Sequence, residues 1–278
     1  MTFKDIQENQ EQYLREYNLI SDFHKSECNW NNLISIAKDF NLRRAEYIEK
    51  IQTYLAEISN FDGIHSYRYR IKGIDSLLKK IIKKTIEKQE KITVDNYRTR
   101  ITDLIGIRVL YVFKSDYYPV HEQIWKKYEH QMAENIHIKL RKGDKKDIFE
   151  KILKHDPMIE DDFEYRAIHY TMHINDKETK DARLEIQSRT IFEEGWSEIN
   201  HKLVYKNKNV SDFLILSQAS SILSALVGNC DTLGDLMQNI YYEYYEKISQ
   251  EVNNPEIMTN LNTDTIMHDV LESFIRKY

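Results

Sequence analysis

The stretch "LIGIRVLYVF", residues 104–113, sets this chain apart from an all-helical protein. It is dense in β-branched and aromatic residues, and its length suits a buried strand better than a helix. A second stretch, "YRAIHYTMHI" (165–174), alternates apolar and polar residues, as a half-buried strand does. A third, "ARLEIQSRT" (182–190), repeats that alternation after a polar, hairpin-like loop. Together they predict a small sheet of four or five strands.

Helical periodicity dominates both ends of the chain. Residues 1–60 carry apolar stripes at helical spacing, and residues 211–248 continue in the same way. A strong amphipathic pattern covers 74–90, and residues 117–154 also read as helical and charged. The predicted fold class is therefore α+β, a small mixed sheet flanked by helices. The predicted division is a helical N-terminal extension at 1–60, a central domain at 61–210 and a helical C-terminal extension at 211–278.

Composition narrows the protein class. The 278 residues include only 7 Gly and 3 Pro, which argues against a loop-rich chain. A net charge of −5 is not that of a general nucleic-acid binder, although local basic patches remain possible. Two cysteines cannot build a disulfide scaffold. The charged N-terminus does not resemble a signal peptide and no long apolar run occurs, so we expect a cytoplasmic protein with no membrane partner.

Basic residues cluster in the segment "YRYRIKG" and in the helix that follows it. Arg70, Lys72 and Lys80 lie within one short region together with Arg68. Fixed cations repel one another unless an anion joins them, and a polyphosphate is a suitable anion. The alternative for each lysine is an ordinary solvated helix face.

Two carboxylates have positions typical of a divalent-cation site. Asp103 stands at the entry of the most apolar strand, and Glu185 lies on the polar face of "ARLEIQSRT". Mg²⁺ is usually held by one or two carboxylates together with phosphate oxygens and water. With the nearby cations, the pair outlines a metal-assisted phosphoryl-transfer site. The alternatives are a turn or capping role for Asp103 and a solvent-exposed strand face without function around Glu185.

Two further features leave their function open. Tyr165 and His169 share one face of a predicted strand, where the phenol ring could stack on a nucleobase or simply pack in the core. The dipeptides His155-Asp156 and His268-Asp269 could suggest a metal-dependent phosphohydrolase, but no third or fourth ligand accompanies them in sequence.

Five motifs in order resemble the synthetase domain of the RelA/SpoT family, which makes the alarmone (p)ppGpp. They are "RIKGIDSLLKK", "DLIGIRV", "YRAIH", "LEIQSRT" and W-x₃-NHK, from about Tyr67 to Lys206. The resemblance implies a nucleotidyltransferase-like fold and a pyrophosphokinase. Its reaction would move the β,γ-pyrophosphate of ATP, with Mg²⁺ as cofactor, to the 3′-hydroxyl of an acceptor nucleotide.

The resemblance also implies a role for individual residues. The ATP-binding residues would be two arginines that sandwich the adenine and two lysines on the phosphates: Arg70, Arg108, Lys72 and Lys80. The catalytic and Mg²⁺-binding residues would be Asp103 and Glu185. The acceptor-binding residues would be a tyrosine that stacks on guanine and three polar neighbours: Tyr165, His169, Gln187 and Arg189.

Departures from the family pattern leave the acceptor open. The segment before Tyr165 reads "MIEDDFEYR" where the family usually has a basic loop, and such acidic groups would repel a guanosine polyphosphate. The family's Glu-His-Lys reads Asn200-His201-Lys202. GDP or GTP is the expected acceptor. The alternative is a toxic relative that modifies the tRNA 3′ end or an adenine nucleotide, with "KLRKGDKK" (139–146) holding the tRNA backbone.

Two more alternatives concern the protein as a whole. One is a catalytically inactive nucleotide sensor or scaffold, against which the intact basic and acidic residues argue. The other concerns partners, because Tyr241, Tyr244 and Tyr245 share one helical face. Core or helix–helix packing is the simpler interpretation of that face, and a homo-oligomer interface or an antitoxin-binding surface is the alternative.

Overall fold

The computed structural model describes residues 3–141, 144, 152–163, 165–174, 182–204 and 213–252. The chain forms two compact units. The first contains residues 1–110 and 118–189, and the second contains residues 111–117 and 190–278. All of the residues predicted to act on ATP or the acceptor belong to the first unit.

Helices form the N-terminal part of the first unit, which confirms the helical prediction for this end of the chain. They are α1 (Phe3–Glu8), α2 (Gln10–Glu16), α3 (Ile20–Ser26), α4 (Trp30–Leu42) and α5 (Arg44–Ile58). Three more helices follow between strands: α6 (Ile74–Lys88), α7 (Tyr97–Arg100) and α8 (Tyr117–Tyr128).

Helix α6 follows directly from its sequence pattern. Its i, i+1, i+4, i+5 apolar residues are fully buried: Leu77, Leu78, Ile81 and Ile82. Asp75 lies in the first turn, where a negative charge suits the helix dipole. Gln89 ends the helix in the left-handed conformation, with φ of 51°. Burial of this single stripe fixes the rotation of the helix, and with it the position of Lys80.

Within the described residues the sheet has six strands, one more than the upper limit of the four or five predicted. They are β1 (Ser66–Ile71), β2 (Ile105–Tyr111), β3 (His137–Arg141), β4 (Met158–Phe163), β5 (Ala167–His173) and β6 (Arg183–Thr190). Their spatial order is β1-β2-β6-β5-β3-β4. Pairs β1/β2, β5/β6 and β3/β5 are antiparallel, whereas β3/β4 is parallel, so the sheet is mixed as predicted.

The two faces of the sheet differ in polarity. The apolar face is fully buried and is formed by Ile105, Ile107, Val109, Ile168, Tyr170, Met172, Leu184 and Ile186. The opposite face carries the charged and amide side chains of the same strands, because successive residues point to opposite sides. Glu185 therefore stands opposite Thr171, and Gln187 stands opposite His169.

Three local predictions were wrong. Residues 137–141 form strand β3 instead of continuing a helix, and 158–163 form strand β4 instead of a loop. Strand β3 has only five residues, and only Ile138 and Leu140 among them are apolar. So short an alternation does not stand out from the helical pattern of α8 that precedes it. Strand β5 begins at Ala167, so Tyr165 precedes the strand. Pairing with β3 ends at Ala167, which explains that boundary.

The second unit contains two described helices, α9 (Ile191–Leu203) and α10 (Phe213–Val252). The Thr190 hydroxyl caps α9 by accepting a hydrogen bond from the Glu193 amide at 3.1 Å. The Trp196 indole nitrogen donates to the Ser220 carbonyl at 2.9 Å, which joins the two helices. No helix in the described ranges is long and apolar enough to cross a membrane.

The tyrosine face on α10 does not enter a core within the described residues. Tyr241 and Tyr245 are 54% and 51% exposed, and their rings contact each other with centroids 4.4 Å apart. The core-packing interpretation is therefore wrong for these two side chains.

Candidate active site

A carboxylate between two ammonium groups forms the centre of the site. Lys72 Nζ lies 2.6 Å from Asp103 Oδ2, and Lys80 Nζ lies 2.8 Å from Asp103 Oδ1. The Lys72 amide donates to the Leu104 carbonyl at 2.9 Å, so the end of β1 is fastened beside the start of β2. Helix α6 supplies Lys80. Three separate segments thus converge on one carboxylate.

The triad has an excess of positive charge. Burial would raise the pKa of Asp103, but Lys80 and Lys72 lower it below its usual value, so this carboxylate is ionised. Burial lowers the pKa of Lys72, and only Asp103 opposes that shift substantially. Lys72 is 6% exposed, so its charge is largely removed from water. An anion that approached this triad would meet two ammonium groups that share one counter-charge.

Glu185 is the second carboxylate, and it lies on β6, the neighbour of β2. Its Oε1 contacts His169 Nδ1 at 3.1 Å, and its Oε2 accepts from Gln187 Nε2 at 2.7 Å. Burial alone would raise the pKa of Glu185, but the contact with His169 lowers it. Asp103 acts in the opposite direction by raising the pKa of Glu185, which means that the two carboxylates repel each other.

His169 orients the Glu185 carboxylate. Burial lowers the pKa of His169, with Glu185 opposing and Arg189 and Lys139 contributing to the decrease. The ring is therefore neutral near pH 7, and its contact with a carboxylate assigns the proton to Nδ1. Its Nε2 atom is buried and has no hydrogen-bond partner within the described part of the chain.

Cations surround the ring of Tyr165. The guanidinium carbon of Arg189 lies 5.7 Å from the ring centroid, and Lys139 Nζ lies 5.8 Å from it. Arg189 also donates through Nη2 to Gln187 Oε1, so a chain of contacts runs from Tyr165 through Arg189 and Gln187 to Glu185. The predicted acceptor-binding residues therefore form one connected group.

Arginines lie on the same polar face at the other end of the sheet. Arg70 stands opposite Gly106 and Arg68 stands opposite Arg108, so Arg70 and Arg108 are diagonal neighbours across β1 and β2. A Cβ atom added at Gly106 would lie 3.9 Å from the Glu185 carbonyl oxygen and 4.0 Å from that of Arg70. Gly106 therefore leaves an open strip of backbone between Arg70 and Glu185.

The structure brings the predicted residues together on one side of one sheet. Asp103, Lys72 and Lys80 are in direct contact, and Glu185, His169, Gln187 and Arg189 form a second connected group. The electrostatic effect of Asp103 on Glu185 links the two groups.

Two neighbours of this site were not singled out as nucleotide-binding residues from sequence. Gly106 was one residue within a strand, and an isolated strand glycine is itself a signal of close backbone approach. Lys139 was assigned to a tRNA-binding run, whereas it contacts the Tyr165 ring. Arg141 of the same run is largely buried.

Other members of the predicted loops lie outside the described residues. This applies to the side chains of Asp161 and Asp162, to Glu164, and to Lys142, Lys145 and Lys146. Nothing in the structure therefore bears on the repulsion expected from the acidic segment.

The oxygen-rich pair Asp103 and Glu185 fits a hard divalent cation. Their mutual repulsion is the condition that such a cation relieves. Both Asp103 oxygens contact lysines, yet each oxygen keeps a second lone pair for a metal.

Comparison with known proteins gives a family match over residues 69–210, about half of the chain, to the region found in RelA / SpoT proteins. No curated protein matches the chain. Solved structures do match, among them a GTP pyrophosphokinase family protein from Streptococcus pneumoniae. It has 19% identity and a TM-score of 0.46, with 76% of this chain and 91% of that chain covered.

Two proteins from Bacillus subtilis are similar to the same degree. Small alarmone synthetase 1 has 18% identity and a TM-score of 0.47, covering 73% of this chain and 99% of its own. Small alarmone synthetase 2 has 22% identity and a TM-score of 0.43, covering 74% of this chain and 96% of its own. The matched region 69–210 contains every residue to which the sequence analysis gives a role in ATP, metal or acceptor binding. The chain therefore belongs to the RelA/SpoT family and is an enzyme of the pyrophosphokinase type.

Proposed function

We propose that this enzyme transfers the β,γ-pyrophosphate of ATP to the 3′-hydroxyl of GDP or GTP. The observation that carries the proposal is the triad of Lys72, Asp103 and Lys80 beside Glu185 on adjacent strands. In it, two cations and two carboxylates converge where a triphosphate and a divalent ion need compensation. The new bond joins the acceptor oxygen to the β-phosphorus, the bond from that phosphorus to the α–β bridging oxygen breaks, and AMP leaves.

Lys72 and Lys80 bind the phosphates of ATP in this proposal. Both ammonium groups already contact one carboxylate, and each has three N–H donors, so each can donate to a phosphate oxygen without leaving Asp103. The burial of Lys72 strengthens its attraction for an anion, because water screens it weakly.

Arg70 and Arg108 hold the adenine ring. Diagonal positions on antiparallel strands lie about 7–8 Å apart, which is roughly twice the 3.5–4.0 Å contact distance between carbon atoms. That gap accepts one flat ring between two guanidinium planes. Gly106 supports this arrangement, since a side chain there would occupy the strip between Arg70 and Glu185.

Asp103 and Glu185 would hold Mg²⁺. When bound, the ion neutralises charge on the transferred phosphates and on the oxygens around the β-phosphorus. Glu185 has a lowered pKa, so it is a weak base, and its main task is to orient the acceptor hydroxyl and accept a hydrogen bond from it. The hydroxyl proton then leaves to Glu185 or to water as the new bond forms.

Tyr165 stacks on the acceptor base in this proposal, with His169, Gln187 and Arg189 around the acceptor. Arg189 and Lys139, both near the ring, add positive charge on the side where the 5′-phosphates of GDP or GTP would lie. These two cations favour a nucleotide polyphosphate over an uncharged acceptor. The alternative acceptors are the tRNA 3′ end and an adenine nucleotide.

The test is label transfer from γ-labelled ATP in the presence of Mg²⁺. Separate reactions offer GDP, GTP, ADP, AMP and deacylated tRNA, and the labelled product is identified. Label on GDP or GTP alone supports the proposal. Label on tRNA alone, or on ADP or AMP alone, would show that the acceptor is not GDP or GTP but that the enzyme does transfer pyrophosphate. Absence of label from every acceptor, with AMP formation also absent, rejects the activity itself.

Matched variants separate chemistry from folding. Glu185→Gln keeps the side-chain volume and removes the charge, and Glu87→Gln makes the same change at an exposed position of α6. Lys80→Met is matched by Lys83→Met, which alters an exposed lysine of the same helix. We expect about a 100-fold or greater loss of transfer for the two site variants, the range seen when one charge-stabilising group is removed, and little change for the controls.

A further inference from the structure

A second cluster of potential ligands lies away from these nucleotide-binding residues. His121, Glu122 and His155 each place one ligand atom within 4.8 Å of the others. His121 and Glu122 belong to α8, and His155 ends the 3₁₀ turn Leu153–His155. His121 contacts Tyr170, which points from β5 into the apolar face of the sheet, so the cluster and the polar face lie on opposite sides.

The unpartnered atoms of this cluster are the ones that bind metals. His121 is 0% exposed, and its Nε2 has no hydrogen-bond partner in the described ranges. His155 Nε2 is also buried and has no hydrogen-bond partner in the described ranges. It lies 3.8 Å from Glu122 Oε1, which is too far for a hydrogen bond. Buried polar atoms usually find partners, so two imidazole nitrogens without one require an explanation.

The tautomer of His121 is suited to metal binding. Its Nδ1 lies 3.0 Å from the Tyr170 hydroxyl, so a proton on Nδ1 can be donated to that oxygen while Nε2 keeps its lone pair. This is how histidine ligands are commonly oriented, with the far nitrogen donating to a neighbouring oxygen. Burial lowers the pKa of His121 to about 4, so the ring is neutral near pH 7.

The dimensions of the cluster require only a small contraction. Because the three ligand atoms lie within 4.8 Å of one another, an ion at their centre lies no more than about 2.8 Å from each. Bonds from Zn²⁺ to imidazole nitrogen and carboxylate oxygen are about 2.0–2.2 Å, so each ligand atom needs to move by about 0.7 Å at most. Side-chain rotation can supply such a shift. Glu122 is 39% exposed at its side chain, which leaves an entry path for the ion.

We propose that His121, Glu122 and His155 form a binding site for a first-row transition metal ion of the Zn²⁺ class, with a water as the fourth ligand. Two imidazoles and one carboxylate favour such an ion over Mg²⁺, which prefers oxygen ligands. Lys154 Nζ lies 2.9 Å from Glu122 Oε1, so this ammonium competes with the ion for that oxygen. This site is independent of the proposed transfer reaction.

The test uses the full chain after treatment with a chelator. Co²⁺ is titrated in the presence of excess Mg²⁺, which occupies oxygen-rich sites, and visible d–d absorption reports tetrahedral nitrogen and oxygen ligands. Displacement of the bands by Zn²⁺ and a stoichiometry of one ion per chain are expected. Zn²⁺ should also raise the thermal midpoint, because it binds the folded state. No absorption, or fractional stoichiometry that grows without saturation, would overturn the proposal.

Variants tie the signal to these residues. His155→Gln and Glu122→Gln each remove a ligand, and we expect affinity to fall by more than the roughly 10–100-fold that loss of an outer-shell partner costs. Tyr170→Phe removes only the oxygen behind His121 and should weaken binding within that smaller range. His24→Gln changes an exposed histidine on α3 and should have no effect.

Lys154→Ala should change the metal affinity in the opposite direction. Removing the competing ammonium should tighten binding several-fold, which general damage to the fold would not do. Equal binding by the wild type, His155→Gln and Glu122→Gln would show that the ion binds elsewhere. If Lys154→Ala binds the ion no more tightly than the wild type, Lys154 does not compete for the site.

Discussion

The ion triad predicts a rescue between two destabilising substitutions. Asp103→Asn leaves the Lys72 ammonium buried at 6% exposure without its counter-charge. Breaking a buried ion pair from one side typically costs about 3–5 kcal/mol, and we take the lower end because the Asp103 side chain is 27% exposed. Lys72→Met removes the stranded charge and keeps an apolar chain of similar length. The double variant should therefore be more stable than Asp103→Asn alone.

The distances determine how large the coupling should be. At 2.6 Å, the interaction between Lys72 and Asp103 is about 6 kcal/mol with an effective dielectric constant of 20 and below 2 kcal/mol in bulk water. The pair lies between these limits, so we expect a coupling free energy of about 2–4 kcal/mol. Lys80 contacts the same carboxylate at 2.8 Å, but its side chain is 36% exposed. Its coupling to Asp103 should be about 1 kcal/mol or less.

Urea unfolding at pH 7 measures these quantities. The wild type, the single variants Lys72→Met, Lys80→Met and Asp103→Asn, and the two double variants with Asp103→Asn complete two cycles. Equal coupling for Lys72 and Lys80 would refute the role given to burial. A double variant of Lys72 and Asp103 that is less stable than Asp103→Asn would refute the stranded-charge argument altogether.

Three other predictions concern separate parts of the molecule. Gly106→Leu should raise the KM for ATP with little loss of stability. Gly106→Ala should bind ATP almost normally, because its Cβ lies 3.9 Å from the nearest atom. Equal KM values for the two variants would contradict the inference that ATP binds over the backbone at Gly106. Burial raises the pKa of Tyr54 to about 12, so the folded state keeps a proton that the unfolded state loses above pH 10. Stability should then fall by about 2–3 kcal/mol more between pH 10 and 12 in the wild type than in Tyr54→Phe, measured by urea midpoints, and parallel curves would exclude this effect. Trp196→Phe should lower the free energy of unfolding by about 1–3 kcal/mol, because the buried Ser220 carbonyl loses its indole donor; an unchanged thermal midpoint would argue against that hydrogen bond.

Much of the secondary structure could be predicted from short-range patterns in the sequence. Helix α6 and strands β2, β5 and β6 could be predicted because their buried residues repeat with a period of 3.6 or 2 within about ten positions. Strands β3 and β4 could not, since neither is long enough for its period to stand out from the charged residues around it.

The candidate site shows the same division. Sequence motifs selected the polar residues that the candidate site is built on, because each motif is a continuous stretch. They carried no information on the contact between Lys72 and Asp103, which are 31 positions apart and meet only because β1 pairs with β2. They also left Gly106 and Lys139 outside the nucleotide site.

The sequence by itself determined the residue types: a carboxylate at the start of a buried strand, a strand with one charged face, and lysines on an amphipathic helix. Tertiary structure decided which of them meet, because burial of the apolar face, to which β2, β5 and β6 contribute, brings these strands side by side, and β1 pairs with β2. The same packing places His155 beside His121, 34 positions away in the chain, and so supplies the partners that the His155-Asp156 dipeptide lacked in sequence.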